Sequence, residues 1–182
     1  MKSRKVSMAL AGILVSAMAT GIALADTKPE LDVSVHETLK AFDALNPHNH
    51  HLLKHAAGTL VFPRVTKGGV GVAGEYGEGA LRVDGKTVGY YSIASASIGL
   101  TLGAAKRSEL IVFTTPEALT NFTASKGWSI GADTGVAMIS KGGGGNYDTE
   151  TLKKPVMGFA FAEKGLIGDL SFEGSKIDRI ER

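Results

Sequence analysis

Residues 81–90 read LRVDGKTVGY, and the Asp84-Gly85 pair at their centre separates two strand-like runs. An Asp-Gly pair supplies the two positive-φ residues of a type I′ turn, whose twist matches that of the strands it joins. This is the strongest short-range hairpin signal in the chain. It predicts an antiparallel β-hairpin at residues 81–90.

Glycines interrupt the chain at close intervals after residue 59, among short runs of β-branched and aromatic residues that are typical of strands. In residues 97–103 and 128–138, bulky side chains alternate with small ones, so that one strand face is bulky and the other almost bare. Glycine in a strand usually marks a bend or the close approach of a backbone or ligand. Two interpretations stay open: tight packing between layers, or a shallow groove for an acyl chain or headgroup.

Three helices are expected beside the strands. The motif SVHE at residues 34–37 is a capping box ahead of apolar residues at helical spacing, which predicts a helix that ends near Asn46. Asn46-Pro47 then predicts the start of a second helix, over residues 48–57. The motif TPE at residues 115–117 predicts a third.

These patterns together indicate the fold class. We expect an α+β domain with a twisted antiparallel β-sheet or a partly closed barrel of short glycine-rich strands, N-terminal helices and a short helix near residues 116–124. Residues 157–162 and 166–172 are expected to form a further strand pair, joined by a turn at 163–165. Residues 26–182 are predicted to be a single domain, because they can bury a core and contain no repeat or long polar linker.

The first 25 residues have the layout of a signal peptide. Three basic residues, at positions 2, 4 and 5, precede an apolar run from Met8 to Ala23 that contains no acid. Ala23-Leu24-Ala25 supplies the small residues that signal peptidase needs, so we expect cleavage after Ala25 and a periplasmic or secreted protein, able to associate with the periphery of a membrane. The alternative is an uncleaved anchor, although glycines and hydroxyl residues weaken this run as a membrane span.

Charge and cysteine content limit the function further. The chain has 20 basic and 18 acidic residues, and loss of the three basic residues near the N-terminus leaves 17 basic residues and a net charge of about −1. Proteins that bind nucleic acid by counterion release carry a basic excess, so nucleic acid is not expected as a partner. Because the chain has no cysteine, neither disulfides nor a lipoprotein acyl anchor are expected.

The apparent catalytic motifs lack their required context. Residues 69–74 match the dinucleotide pattern G-x-G-x-x-G, but the glycines of residues 75–79 do not suit the helix that must follow it. Glu75 and Glu78 could be imagined as paired glycosidase carboxylates, although acids beside turn glycines are more often solvated hairpin residues. Since there is also no G-x-S-x-G elbow and no cysteine nucleophile, we expect no enzyme and no cofactor.

The histidines suggest an alternative function. His48, His50, His51 and His55 lie close together, and His51 and His55 would share one helix face. Imidazoles at this spacing can bind zinc, copper or nickel. His48, His51 and His55 are therefore candidate ligands of a periplasmic metal-binding protein, against the simpler interpretation of a solvated polar helix face.

A series of motifs follows in order from residue 57. They are AGTLVFPRVTKGG at residues 57–69, GVAGEYGEG at 71–79, SIGL at 97–100, LIVF at 110–113 ahead of Ala118-Leu119, GAD at 131–133, and the turns at Gly165-Leu166 and Glu173-Gly174. This series resembles the SYLF lipid-binding domain family over most of residues 35–180. An ordered series of motifs is far more specific than any single glycine pattern.

The resemblance implies a non-catalytic module that interacts with lipids and membranes. Eukaryotic relatives bind phosphoinositides, and some bind actin filaments, whereas bacterial relatives are exported or lipid-anchored. For this chain it implies binding to anionic phospholipid or a membrane surface, with actin not expected outside the cytoplasm. The oligomeric state is not predicted.

In the expected mechanism, basic groups at loop ends meet lipid phosphates, while aromatic residues or the first helix enter the interface. The candidate lipid-binding residues are Arg64, Lys67, Tyr76, Arg82, Lys126 and Trp128. For Trp128, its alternation with Ile130 favours a core position at least as well. Lys106-Arg107 is expected to lie in an ordinary solvated loop.

Overall fold

A computed structural model describes residues 26–130, 137–139, 153–162, 165–166 and 174–182, and for residues 69–73, 97–104, 137–139 and 165–166 it describes the backbone only. The predicted signal peptide, the residues 163–164 of the predicted turn and most of the predicted strand 166–172 lie outside the described residues. The described elements are α1 (Lys28–Leu45), α2 (Pro47–His55), β1 (Gly58–Val83), β2 (Lys86–Phe113), α3 (Pro116–Ala124), β3 (Trp128–Ser129), β4 (Ala137–Ile139), β5 (Val156–Ala162), β6 (Gly165–Leu166) and β7 (Lys176–Ile180).

The strands form one curled sheet, which confirms the predicted α+β class. Its order is β3-β7-β2-β5-β4, with β1 paired to β2 and β6 to β5. All pairs are antiparallel except β4 with β5. The second strand is the centre of this arrangement, because β1 lies along one of its edges while β5 and β7 share the other.

The predicted hairpin is confirmed at its turn. Asp84 has φ 48° and Gly85 has φ 73°, as a type I′ turn requires. The strands that it joins are much longer than expected, with 26 residues in β1 and 28 in β2. Their glycines do not end the strands, because register shifts between Phe62 and Val65 and between Val70 and Val72 absorb the curvature instead.

The long hairpin folds back on itself where two glycines meet the start of β1. A Cβ at Gly77 would lie 2.9 Å from the Arg64 carbonyl oxygen and 2.8 Å from a Val65 methyl group, and one at Gly79 would overlap the Val61 carbonyl oxygen. Only glycine lets two backbones approach this closely. These two positions are therefore tightly packed, whereas a Cβ at Gly74 would have open space around it. The glycines of the predicted bare faces, in residues 97–103 and 128–138, lie outside the residues whose side chains are described.

Two apolar clusters lie on opposite faces of the sheet. The inner cluster, between the folded halves of the hairpin and under α3, comprises Leu60, Phe62, Val65, Leu81, Tyr91, Ile93, Ile111, Phe113, Phe122, Trp128, Ile130, Val156, Ala160 and Ile177. The outer cluster, beneath α1 and α2, comprises Leu31, Val35, Phe42, Leu52, Val61, Ala80, Leu110, Val112, Met157, Phe159 and Phe161. Adjacent residues of a strand therefore belong to clusters on opposite faces of the sheet, because side chains alternate between the two faces.

The first helix begins earlier than predicted. Thr27 is its N-cap, and the Glu30 carboxylate accepts hydrogen bonds from the Thr27 backbone NH at 2.8 Å and from its hydroxyl at 2.7 Å. The capping-box prediction at residues 34–37 is therefore wrong, because this segment lies inside the helix, where the Ser34 carbonyl accepts a bond from the Thr38 hydroxyl. The start of α2 is as predicted, since Asn46 caps the His48 NH at 2.9 Å.

The other helix boundaries are close to prediction. The second helix ends at His55 rather than at residue 57. In α3 the Thr115 hydroxyl accepts a bond from the Ala118 NH at 3.2 Å, which confirms the predicted cap. The glycine pattern at residues 69–74 lies within β1, which continues to Val83 without a helix.

Four charged residues join the two halves of the hairpin beside the inner cluster. Arg107, only 7 % exposed, donates from Nη2 to Glu75 at 2.5 Å and from Nε to Glu109 at 2.7 Å, and Lys67 lies 3.2 Å from Glu75. Glu109 is 1 % exposed, and its Oε2 has no hydrogen-bond partner among the described residues. Burial raises the pKa of Glu109 to about 7, although Arg107 opposes this shift.

Replacement of Gly79 tests the close approach within the hairpin. In Gly79→Ala the new methyl group overlaps the Val61 backbone, which cannot move without separating the two layers, so we expect a loss of about 3 kcal/mol or more in the free energy of unfolding. Gly74→Ala is the matched control and should change stability by less than about 0.5 kcal/mol. Urea denaturation of both variants measures the difference, and equal stabilities would contradict the proposed packing.

The buried carboxyl of Glu109 predicts a pH dependence of stability. Because its folded-state pKa of about 7 is above the ordinary value of 4.5, the unfolded chain ionises first as pH rises, and the free energy of unfolding should fall between these values. The loss is on the order of 3 kcal/mol and is complete above about pH 7. Glu109→Gln should remove it, so that the variant gains stability relative to wild type as pH rises.

Urea unfolding at about pH 4.5 and about pH 8 measures this effect. The control is Glu181→Gln, which removes an exposed carboxylate and should follow the wild-type curve. Parallel pH curves for wild type and Glu109→Gln would show that Glu109 titrates normally in the folded protein.

Candidate functional site

Two grooves lie side by side between α1 and the strands, separated by Pro63 and Arg64. The first, of about 600 Å³, lies between the start of α1 and the segment Gly74–Glu78 of β1. The second, of about 830 Å³, lies between the middle of α1 and the strands β1, β2 and β5. Arg64 lines both grooves, because the register shift after Phe62 lifts it out of the ladder.

Two cations lie at the rim of the second groove. The Arg64 side chain is 56 % exposed, and its Nη1 is 3.7 Å from Asp26 Oδ2, beyond hydrogen-bonding distance. Lys106 is exposed and pairs in the ladder with Thr66, and among the described residues it has no ion pair. Leu45 and Phe161 contribute to the apolar wall of the same groove. The exposed Glu37 and the hydroxyl residues Ser34, Thr38 and Ser108 also line this groove, so positive charge lies beside a surface that is part apolar and part polar.

The acids of the first groove are already neutralised by other cations. Burial alone would raise the pKa of Glu75, but hydrogen bonds and charge from Arg107 and Lys67 hold it below its ordinary value. Glu78 forms an ion pair with Arg182. Glu75 and Glu78 therefore repel an anionic ligand less than two unpaired carboxylates would.

The structure brings some of the predicted lipid-binding residues together and separates others. Arg64 and Tyr76 line the first groove. Lys67 forms an ion pair with Glu75, which lines the same groove. Tyr76 is 53 % exposed, and its hydroxyl donates to Glu78 at 2.8 Å. Only part of the predicted set therefore shares one surface.

Arg82 and Lys126 lie elsewhere. Arg82 is held at the hairpin turn, where it donates to the Gly85 carbonyl and to the Thr87 hydroxyl. Lys126 is exposed in the segment between α3 and β3. Neither residue lines either groove.

Trp128 is in the core rather than at the surface. It is 4 % exposed, and its ring centroid is 5.3 Å from that of Phe122 and 6.1 Å from that of Phe113. The core interpretation is therefore the one found, and this side chain presents no surface to a membrane. The alternation with Ile130, also buried, was the signal for it.

The prediction of a solvated loop at Lys106-Arg107 is wrong. Both residues lie within β2, where alternate residues face opposite ways. Lys106 is exposed at the groove, whereas Arg107 is buried in the ion network. Sequence reasoning thus missed Lys106 as a candidate, because only the extent of β2 places it beside Arg64.

The histidine cluster provides two imidazoles in contact. The rings of His51 and His55 are stacked with centroids 4.1 Å apart, and His55 Nδ1 is 2.8 Å from the His51 carbonyl oxygen. His50 Nδ1 is instead 3.1 Å from Asp43 Oδ2. Within the described residues, no group of three side chains could hold a metal ion, so His48 does not complete a site with this pair.

None of the described helices combines the length and hydrophobicity that a membrane crossing requires.

Comparison with known protein families gives a match in the C-terminal half of the chain. Residues 94–181 match the family described as "Ysc84: Las17-binding protein actin regulator", from within β2 to the end of β7. No curated protein matches the chain. The Ysc84 family is the SYLF family, which is not a known enzyme family. The match over residues 94–181 therefore confirms the resemblance to the SYLF family that the ordered motifs indicated.

Proposed function

We propose that this protein is exported and binds anionic phospholipid surfaces without catalysing a reaction. The observation that carries the proposal is the pair of exposed cations, Arg64 and Lys106, at the rim of an open groove whose lining is part apolar and part polar. Phospholipids combine an anionic phosphate with an apolar chain, and this surface offers a complement to both.

The charges suit a phosphate group. The guanidinium of Arg64 can donate two parallel hydrogen bonds to phosphate oxygens, and Lys106 adds a point charge beside it. The 3.7 Å separation from Asp26 is an ion pair without a hydrogen bond, so a phosphate can displace it. Each cation contributes about 1 kcal/mol at an anionic membrane surface.

The apolar groups suit the region beneath the headgroups. Leu45 and Phe161 line the groove behind the two cations, and Tyr76 is exposed at the neighbouring groove. A tyrosine ring that is apolar on its faces and polar at its hydroxyl is favoured at membrane interfaces. Because the predicted mature chain is nearly neutral, binding should depend on this local charge and should weaken as salt is added.

The description of the family favours a module that binds macromolecules or membranes over one that acts on a small substrate. It names Las17 binding and actin regulation, and the SYLF family is consistent with lipid binding or actin-related function. A signal peptide at residues 1–25 would direct this chain away from actin. We therefore assign lipid, rather than actin, as the partner.

Vesicle sedimentation tests the proposal. The purified protein should sediment with vesicles of phosphatidylcholine and phosphatidylglycerol, less so at high ionic strength, and little with phosphatidylcholine alone. The double variant Arg64→Gln, Lys106→Gln removes two contacts of about 1 kcal/mol each, so its partition coefficient should fall by about tenfold or more.

The matched control is Lys54→Gln, Lys86→Gln, which removes two exposed cations that do not line the grooves. It changes the net charge equally and should retain most of the binding. If both double variants lose binding equally, the attraction is general rather than local to Arg64 and Lys106. If wild type fails to bind anionic vesicles, the proposed function is refuted.

A further inference from the structure

We infer that one segment of the hairpin enters the membrane interface, and this inference rests on the proposed function. The segment, called here the ribbon, consists of residues 68–74 of β1 and 96–104 of β2, which pair with each other in the ladder. It contains no charged residue. The partner that it contacts is the interfacial layer of an anionic bilayer.

The ribbon is a two-stranded part of a wider sheet. The fifth strand pairs with β2 only along residues 108–113, and β7 only along residues 90–94. Among the described strands, therefore, none other than β1 and β2 runs along the ribbon. Gly74 and Ala96 at one end, and Ala105 next to the other, are exposed.

Basic residues lie near the end of the ribbon at which Gly68 pairs with Ala104. Lys106 follows the ribbon closely on β2, and Arg64 lines the same groove as Lys106, whereas Lys67, which directly precedes the ribbon on β1, is paired with Glu75. Glu75 is the acid nearest to the ribbon in sequence, and it is paired with Lys67 and Arg107. An uncharged segment with cations at its base matches a bilayer, in which anionic phosphates lie above an apolar layer.

The geometry limits the depth of entry to the interface. Seven strand residues extend about 23 Å when straight, which is less than the roughly 30 Å of a hydrocarbon core. The ribbon is also bent, because the ladder passes from Val70 opposite Leu102 to Val72 opposite Ile98. Among the described residues no third strand pairs with its outer backbone groups, and unpaired groups are not tolerated in hydrocarbon but are satisfied by water at the interface.

The same charges argue against a second copy of this chain as the occupant. Two molecules that met ribbon to ribbon would bring Lys106 of one near Lys106 of the other. Like charges in contact repel, whereas a bilayer containing phosphatidylglycerol supplies the opposite charge. The bilayer is therefore the occupant that the charge pattern favours.

A fluorescent probe at a single cysteine tests the inference directly, since the chain has no cysteine of its own. Val72→Cys places an environment-sensitive dye in the ribbon, and Val88→Cys places the same dye at an exposed site beside the hairpin turn. With vesicles of phosphatidylcholine and phosphatidylglycerol, the emission at position 72 should shift to the blue and become protected from aqueous quenchers. The emission at position 88 should not change.

A charged residue introduced into the ribbon gives a second readout. Val72→Asp brings a carboxylate to the interface and should lower the partition into anionic vesicles by about tenfold, whereas Val88→Asp should lower it by less than about twofold. Circular dichroism of each variant reports whether it is folded. If Val72→Asp does not fold, the dye at Val72→Cys still decides the question.

The outcomes separate this inference from the proposed function. If wild type binds anionic vesicles while the dye at position 72 stays in water and Val72→Asp binds normally, the ribbon is not the inserted element and the groove alone accounts for binding. A blue shift that appears without vesicles and grows with protein concentration would instead assign the ribbon to self-association and overturn the inference. If wild type binds no vesicles at all, both proposals fail.

Discussion

The close approach of β1 to itself is the constraint on which the rest of the structure depends. Gly77 and Gly79 allow the backbone at residues 61–65 to cross their own strand within van der Waals contact, which no larger residue would permit. This crossing turns a long two-stranded hairpin into two packed layers. The inner cluster is the apolar space that these layers and α3 enclose. Without the crossing, α3 would be the one described helix left to cover the inner face of the hairpin.

The ion network marks where the enclosed layers end. Arg107 is shared between Glu75 on one half of the hairpin and Glu109 on its own strand, so it links the two layers beside the apolar core. Buried charges are tolerated only when they are paired. Beyond this network the charged residues stop, and the uncharged ribbon begins. One network therefore separates a packed body from a segment of a different chemical character.

The site depends on more of the chain than the family match covers. The match includes β2 from residue 94 onward, α3 and the later strands. The grooves are formed by α1 and β1 as well, and Arg64 and Tyr76 belong to β1. The N-terminal helix and the first strand thus decide the surface on which the proposed lipid binding rests. The family match by itself would not have located this surface.

Local features of this protein were determined by the sequence alone, whereas its site was decided by tertiary structure. The turn at Asp84-Gly85 and the starts of α2 and α3 could be predicted, because positive φ angles and helix caps depend on residues a few positions apart. The α+β class and the family also followed from patterns along the chain. The start of α1 was missed because two capping boxes occur in succession, at residues 27–30 and 34–37, and the earlier one is used. The burial of Trp128 against Phe113 and of Arg107 against Glu75 arises from contacts between residues far apart in sequence, and so does the placement of Arg64 and Lys106 at one groove. Such contacts exist only once the long hairpin has folded over its glycines, and no local pattern encodes that fold.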